Sequence, residues 1–208
     1  MSIEEKNKER AILEAAEQEF LEKGFEASKT IKIASRAGVT HAMLHYYYRT
    51  KEKLFDKVLN NKIQLLKDSI FDLLQDNGSP FLERVRAGIE IHFDFIAANP
   101  KLPRFIINEL IYNPARIKLR EDILRKTGRR ILGQIQAEID READRGTIRR
   151  VSARMLMLNI ASLNIFSFAA LPVVRLFAMA DDEDEKAFFA ARKKENVEVI
   201  MRWLTGNS

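Results

Sequence analysis

Residues 39–51 bring together side chains that hydrogen-bond, stack and carry positive charge. His45 is followed by three tyrosines, and Arg49 and Lys51 lie directly after this aromatic run. Gly38 ends a short helical pattern just before the segment. A helix, a glycine-containing turn and a second helix with an exposed polar face form a helix-turn-helix, which places its second helix in the DNA major groove. The segment therefore predicts binding to double-stranded DNA.

The aromatic run also has a structural interpretation, because some of its rings can pack in the core. Successive residues of an α-helix point about 100° apart, so one face cannot bury four consecutive side chains. Leu44 and Tyr48 are one turn apart and are predicted to face the core. Tyr46 and at least one neighbouring ring must then be exposed.

Positive charge is concentrated around this segment. Residues 27–62 hold eight Lys or Arg and two Asp or Glu, in a chain whose net charge is +5. A positive field of this kind favours phosphate binding. Residues 101–150 hold 13 basic and 7 acidic side chains, so charge alone does not identify the DNA-binding segment.

Residue types that carry catalysis are scarce. The chain has no cysteine and three histidines, His41, His45 and His92, and it lacks a glycine-rich phosphate loop. His41 and His45 are one turn apart and could chelate a metal ion, but no third ligand is evident. We therefore predict a protein that is not an enzyme, with no metal site and no cofactor.

The distribution of apolar residues predicts a cytoplasmic protein. The N-terminus is highly charged and lacks the apolar run of a signal peptide. Residues 155–171 are the most apolar stretch, but they include Asn159 and Asn164 and fall short of the roughly 20 residues that span a membrane. A helix buried on more than one side is the better interpretation, and no membrane partner is expected.

Glycine and proline fall between segments of helical periodicity, which predicts an all-α fold with short connections. The first helix is expected over residues 4–23, with Gly24 as its end. Ser28, Thr40 and Thr50 are expected to cap the second, third and fourth helices.

The second half of the chain continues this pattern. Asn99 and Pro100 end the fifth predicted helix. The seventh helix is expected to be interrupted near residues 127–128. Ser152 is expected to cap the apolar eighth helix, and residues 171–172 to bend or end it. An acidic run at residues 181–185 opens the last helix, where the helix dipole favours negative charge.

The first 60 residues resemble the DNA-binding domain of the tetracycline-repressor (TetR) family. The matching residues are Phe20, Leu21, Glu22, Lys23, Gly24, Phe25, Ala27, Ser28, Ile33, Ala34, Ala37, Gly38, Val39, Thr40, Leu44, Tyr47, Tyr48, Thr50, Lys51, Glu52, Lys53 and Leu54. This resemblance implies a three-helix helix-turn-helix domain at residues 1–50. A long fourth helix would join it to a larger helical domain for effector binding and dimerisation at residues 51–208.

The resemblance also implies which residues contact DNA. They are Ser28, Lys29, Thr30, Thr40, His41, Ala42, Met43, His45, Tyr46, Tyr47 and Lys51. Tyr47 and Lys51 match family positions that contact phosphates, and His41 and Tyr46 are our first choices for reading bases. Family members usually have Gly or Pro where this chain has Ala42, and Tyr where it has His45, so the preferred operator is expected to differ.

The resemblance further implies a homodimer and a small-molecule pocket. The helix predicted at residues 155–171 is apolar on nearly all sides and has no wide polar face. A two-fold contact with a second copy would cover its apolar surface. The alternative is that this helix is central to its own domain. Candidate pocket residues are His92, Phe95, Asn108, Tyr112, Asn159 and Phe166. For these the alternatives are that His92 is a surface residue and that Asn159 or Asn164 bonds across the dimer.

These features predict a DNA-binding transcriptional regulator, namely a repressor that a small-molecule effector releases from a pseudo-palindromic operator. The alternative is a helix-turn-helix protein whose helical domain binds a protein partner. A cavity large enough for a ligand would favour the first function, and a filled core with an exposed apolar groove the second.

Overall fold

The computed structural model describes residues 3–71, 78–111, 114–180 and 184–206. These residues form ten helices and no strand, which confirms the all-α fold class. The helices are α1 (Ile3–Ala27), α2 (Thr30–Arg36), α3 (His41–Tyr48), α4 (Lys51–Phe71), α5 (Phe81–Ala98), α6 (Leu102–Ile111), α7 (Pro114–Asp144), α8 (Ala153–Ala169), α9 (Leu171–Phe177) and α10 (Glu185–Thr205).

The chain divides into two compact units. The first comprises residues 1–65 and 105–112, and the second comprises residues 66–104 and 113–208. The domain boundary that we expected between residues 50 and 51 stays a prediction.

Aromatic rings from three helices form the centre of the first unit. The ring of Phe55 in α4 lies 4.9 Å from that of Phe20 and 5.0 Å from that of Phe25, both in edge-to-face geometry. Phe105 of α6 lies 5.5 Å from Phe55. Phe20 and Phe55 are fully buried. Large rings contribute much of the apolar area that a small unit can bury, so these contacts hold α1, α4 and α6 together.

The segment that joins α1 to α2 differs from our expectation. Gly24 has φ 72° and ψ 179°, which glycine adopts easily, and it breaks α1 before one last turn that ends at Ala27. The predicted Ser28 cap of α2 is wrong, because Lys29 occupies the cap position and makes no side-chain bond there. The Ser28 hydroxyl instead donates back to the Gly24 carbonyl oxygen.

Two of the predicted caps are confirmed. The backbone N–H of Met43 donates to Thr40 Oγ1 over 3.2 Å at the start of α3. The backbone N–H of Lys53 donates to Thr50 Oγ1 over 3.2 Å at the start of α4. Each cap satisfies a backbone donor that the helix leaves unpaired, typically worth about 1 kcal/mol.

In the second unit α5, α7, α8 and α10 pack around one apolar core. Its buried side chains are Phe81, Val85, Ile89, Ile135, Ile139, Ile148, Val151, Ala153, Leu156, Val197, Ile200 and Leu204. The predicted interruption of α7 at residues 127–128 is wrong, because the helix is continuous. A single glycine inside a helix costs only about 1 kcal/mol relative to alanine, and packing can offset this cost.

The helix ends near α8 follow the predictions in part. Ser152 occupies the cap position of α8, as predicted, but its side chain makes no cap bond. The predicted bend is confirmed, since α8 and α9 meet at 81°. Of the acidic run expected to open the last helix, residues 181–183 lie outside the described residues, and α10 begins at Glu185.

Among the described helices, no single one is long and apolar enough to cross a membrane. The bent pair of α8 and α9 passes this test by length and composition.

A buried polar triad joins α5, α8 and α10. Asn164 Nδ2 donates to the Ile89 carbonyl oxygen over 2.9 Å and lies 3.1 Å from His92 Nδ1. Asn196 Nδ2 donates to Asn164 Oδ1 over 2.9 Å. Because Asn164 Nδ2 can only donate, His92 Nδ1 accepts, and the neutral imidazole carries its proton on Nε2.

Burial has two consequences for the triad. His92 is 3% exposed, so the surface alternative for this residue is wrong. Burial in this apolar surrounding lowers the pKa of His92 to about 4, which keeps the ring neutral. Asn164 is fully buried and forms hydrogen bonds within the chain.

Candidate nucleic-acid interface

The turn before α3 and its buried side fix the orientation of this helix. Gly38 has φ 67°, in the left-handed region that glycine tolerates, and makes the turn from α2. Leu44 and Tyr48, four residues apart, are both buried against the first unit. The opposite face of α3 must therefore point to solvent.

The outward face of α3 carries the side chains that the sequence singled out. His41, Ala42 and His45 are exposed, and Tyr46 has 73% of its surface exposed. Met43 and Tyr47 are half-buried. This arrangement confirms that Tyr46 and one neighbouring ring are exposed. Their contacts with DNA stay a prediction.

The His41 imidazole has two neighbours. His41 Nε2 lies 3.0 Å from Thr30 Oγ1 on α2, within hydrogen-bond distance. Its ring centroid is 5.1 Å from that of His45, in edge-to-face geometry. Among the described residues no group of three or more His, Asp or Glu could hold a metal ion.

Two tyrosines of α3 bind the first helix, which sequence reasoning did not predict. Tyr47 Oη donates to the Glu5 carbonyl oxygen over 3.3 Å. Tyr48 Oη donates to Glu9 Oε1 over 3.3 Å. Burial, together with the negative charge of Glu9, raises the pKa of Tyr48 well above its usual range. Both hydroxyls thus anchor α3 to α1, and the phosphate contact proposed for Tyr47 stays a prediction.

Lys51, at the start of α4, hydrogen-bonds to the last turn of α1 and to the residue that follows it. Its Nζ donates to the carbonyl oxygens of Ser28 over 2.9 Å and Glu26 over 3.2 Å. The same ammonium lies 4.5 Å from the centroid of the Phe25 ring. An ammonium has three N–H groups, so one remains for another acceptor. Lys51 therefore joins the start of α4 to the end of α1, and its phosphate contact stays a prediction.

The side chains at the start of α2 differ in exposure. Ser28 is 3% exposed, with its hydroxyl turned towards carbonyl oxygens of α1. Lys29 is exposed and Thr30 is half-buried. Lys29 and Thr30 thus lie where a DNA backbone could reach them, whereas the Ser28 side chain lies inside the unit. The DNA contacts of all three stay predictions.

A buried carboxylate, Glu19, was missed by sequence reasoning. It is 1% exposed and lies 2.9 Å from Lys23 Nζ and 3.8 Å from Arg36 at the end of α2. Burial opposes its ionisation, but the hydrogen bond and charge of Lys23, together with the charge of Arg36, outweigh burial and lower its pKa. The ion pair of Glu19 with Arg36 thus joins α1 to α2. The ion pair of Glu19 with Lys23 could have been predicted from the sequence, because the two residues are four positions apart in a helix.

The structure places the predicted pocket residues in different surroundings. His92 belongs to the buried triad, and Phe95 and Asn159 are half-buried in the second unit. Asn108 is exposed and belongs to the first unit. Phe166 is 56% exposed. Tyr112 lies outside the described residues. Their role in ligand binding stays a prediction.

A cavity of about 530 Å³ lies elsewhere in the second unit. It is lined by Phe93, Asp94, Ala97, Pro100, Phe168, Leu171, Asp184, Glu185, Lys186, Phe189, Ala190 and Lys193. Three rings form its apolar wall: Phe168 and Phe189 stack at 4.4 Å, and Phe93 meets Phe168 edge-on at 5.2 Å. Lys193 Nζ pairs with Asp94 at 2.8 Å beside these rings. This cavity thus combines an aromatic wall with an ion pair at its edge.

Two segments of the chain match the same family. Residues 12–58 match "Bacterial regulatory proteins, tetR family". Residues 82–200 match "Tetracyclin repressor-like, C-terminal domain". The chain belongs to the TetR family. The first match includes α2 and α3, and the second extends from α5 into α10. The resemblance predicted from residues 20–54 is thereby confirmed.

Individual relatives within the TetR family share only about 30% identity with part of the chain. The HTH-type transcriptional activator FasR of Mycolicibacterium smegmatis is 30% identical over 104 residues, which are 50% of this chain and 47% of that protein. The nucleoid occlusion factor SlmA of Mannheimia succiniciproducens is 29% identical over 103 residues, 48% of this chain and 46% of that protein. The chain therefore spans about half the length of these relatives.

Solved structures share the fold over nearly the whole chain. A Clostridium perfringens protein described as a fatty acid metabolism regulator superposes with a TM-score of 0.69 at 20% identity. The match covers 93% of this chain and 97% of that one. At this identity the match establishes the TetR fold alone.

The family is one of bacterial regulatory proteins. The exposed face of α3 lies within residues 12–58, which match this family.

Proposed function

We propose that this protein is a cytoplasmic repressor that binds a pseudo-palindromic operator as a homodimer and releases it when a small molecule binds. The exposed face of α3 carries this proposal. His41, His45 and Tyr46 present hydrogen-bonding rings there, while Leu44 and Tyr48 anchor the helix. A DNA major groove, about 12 Å wide, admits such a helix, and its base edges offer donors and acceptors to these side chains.

The test is selection of bound sequences from random duplex DNA by the full-length protein. We expect an inverted repeat whose half-sites are separated by about one helical turn, roughly 34–36 Å. Tyr46→Ala should weaken binding to the preferred site by about 1–3 kcal/mol. Phe177→Ala removes an equally exposed ring on α9 and should leave binding unchanged. Selection that enriches no sequence would contradict the proposal.

The outward face of α8 supports the homodimer. Met155, Leu158 and Phe166 are exposed on this helix, and Val199 is exposed on α10. Exposed apolar side chains in such a row mark an interaction surface, and a two-fold contact buries the same surface on both copies.

The aromatic cavity supports regulation by an effector. Its volume lies within the range of about 300–1,000 Å³ that is typical of small-molecule sites. Ala97→Trp would fill the cavity, whereas Ala98→Trp alters an equally exposed neighbour that does not line it. We expect a compound that raises the melting temperature of the unmodified protein and of Ala98→Trp but not of Ala97→Trp. A broad compound panel without a single binder would contradict an effector.

An exposed apolar surface on α9 favours a second function, in which the helical domain binds a protein partner. Leu176 is 86% exposed, and Val173 and Phe177 are more than half exposed. Apolar side chains of this size at the surface are typical of protein-binding sites. Under this alternative, Leu176→Glu should abolish regulation in cells while operator affinity in vitro stays unchanged. If the Leu176→Glu variant regulates its target in cells as well as the unmodified protein does, the proposed partner site on α9 is contradicted.

A further inference from the structure

The first residues of α2 and α3 are joined by a side-chain contact. Thr30 opens α2, His41 opens α3, and Thr30 Oγ1 lies 3.0 Å from His41 Nε2. The contact links the helix that precedes the turn to the helix that is exposed for DNA. It therefore acts on a side chain that we expect to read bases.

The His41 ring is restricted from a second direction. The His45 ring, one turn further along α3, lies at 84° to it with centroids 5.1 Å apart. With Nε2 engaged by the Thr30 hydroxyl, Nδ1 is the ring nitrogen left for DNA. An exposed imidazole would otherwise sample several rotamers and offer either nitrogen, at a cost in conformational entropy on binding.

We propose that Thr30 is a positioning residue, which holds His41 so that its Nδ1–H donates to a purine in the operator. This inference rests on the proposed DNA-binding function. When the Thr30 hydroxyl donates to Nε2, the proton of the neutral ring resides on Nδ1. A donor at that place matches purine N7 and guanine O6 in the major groove. A protonated ring carries a donor on Nδ1 as well.

This role is distinct from a direct contact of Thr30 with the DNA backbone. A phosphate contact contributes similarly on every sequence and, when a cation makes it, adds to the salt dependence of binding. A positioning residue acts through His41, so its loss alters the preference at the base pair that His41 reads. The two roles therefore differ in which sequences are affected.

Thr30→Val removes the hydroxyl and keeps the shape of the side chain. Because Thr30 is half-buried and is not the capping residue of α2, folding should be unaffected, and the melting temperature checks this. Thr30→Ser restores the hydroxyl. His41→Ala and the double variant Thr30→Val/His41→Ala complete a double-mutant cycle.

The measurements are selection from random duplex DNA and titration of the selected site and its single-base variants. We expect His41→Ala to relax the preference for a purine at one base pair per half-site. Thr30→Val should relax the same base pair and weaken the preferred site about 3- to 10-fold, the effect of one net hydrogen bond. Thr30→Ser should keep the preference, and the double variant should bind like His41→Ala. The salt dependence should not change.

Four results would overturn the inference. Thr30→Val could weaken all sequences equally, which would make Thr30 a phosphate contact. It could relax a base pair other than the one that His41→Ala relaxes, or leave the selected sequence unchanged. If the unmodified protein enriches no sequence, the proposed function fails and this inference fails with it. An enriched sequence that Thr30→Val does not alter overturns the positioning role alone.

Discussion

Acidification should destabilise the second unit through His92. The folded protein keeps this imidazole neutral, with a pKa of about 4, whereas an unfolded chain protonates it near its ordinary value of 6.5. Between these two values the unfolded state binds a proton that the folded state does not. Stability must therefore fall as the pH falls from 6.5 to 4 and then level off.

The magnitude follows from the two pKa values. At pH 5 protonation of His92 in the unfolded state lowers the unfolding free energy by about 2 kcal/mol, and below pH 4 this loss approaches about 3 kcal/mol. Domain stabilities are typically about 5–15 kcal/mol, so this loss is large enough to measure. Because His92 is almost completely buried, little screening by solvent reduces the effect.

Urea unfolding at pH 7.5 and pH 5.0 measures this loss. Trp203 is the single tryptophan and packs against the core of the second unit, so its fluorescence reports unfolding there. Protein concentration is held constant, because dimerisation shifts apparent stability. His92→Gln removes the titration and retains hydrogen-bonding atoms, whereas His41→Gln removes an exposed histidine.

We expect the unmodified protein and His41→Gln to lose about 2 kcal/mol more than His92→Gln on going from pH 7.5 to pH 5.0. Carboxylates that titrate in this range contribute equally to all three proteins and cancel in the comparison. Equal losses in the unmodified protein and His92→Gln would refute the reasoning, since His92 would then accept a proton within the folded unit.

Three further predictions concern the first unit and the dimer. Glu19→Gln should lower the unfolding free energy by about 1–3 kcal/mol at pH 7. Because the pKa of Glu19 is lowered, this difference should disappear as the pH falls through that pKa. Thermal unfolding with the exposed Glu22→Gln as control checks both points. Lys51→Ala should weaken binding to every duplex, lower the salt slope by about 1, and destabilise the first unit, whereas the exposed Lys53→Ala should not destabilise it. Unchanged stability of Lys51→Ala would contradict the contacts with residues 26 and 28. Leu158→Glu on the exposed face of α8 should yield a folded monomer by light scattering, whereas Leu176→Glu should stay dimeric. An unmodified protein that is monomeric at micromolar concentration would disprove the interface.

Features that depend on one helix could be predicted from the sequence. The exposed face of α3 followed from the spacing of Leu44 and Tyr48, because the helical period fixes which neighbours share a side. Thr40 and Thr50 were recognised as caps, since a cap bond involves residues only three apart. The bend after α8 followed from a proline near residue 171.

Predictions from local sequence patterns were wrong where a residue can adopt more than one local arrangement. Ser28 was expected to cap α2, but its hydroxyl bonds back to α1, because Gly24 breaks the helix and brings its carbonyl within reach. Gly128 was expected to interrupt α7, but the helix continues through it. In both cases the sequence offers more than one arrangement of similar energy, and packing selects one.

Contacts between helices were decided by the tertiary structure alone. Tyr47 bonds to Glu5, 42 residues away, and Asn164 bonds to Asn196, 32 residues away. Neither spacing carries a pattern, because the partner depends on how two helices are placed and on which rotamer their packing allows. The contact of Thr30 with His41 and the aromatic cavity have the same origin, since each is made by side chains from different helices. The sequence thus determines which face of α3 is exposed, and packing determines how the side chains on that face are held.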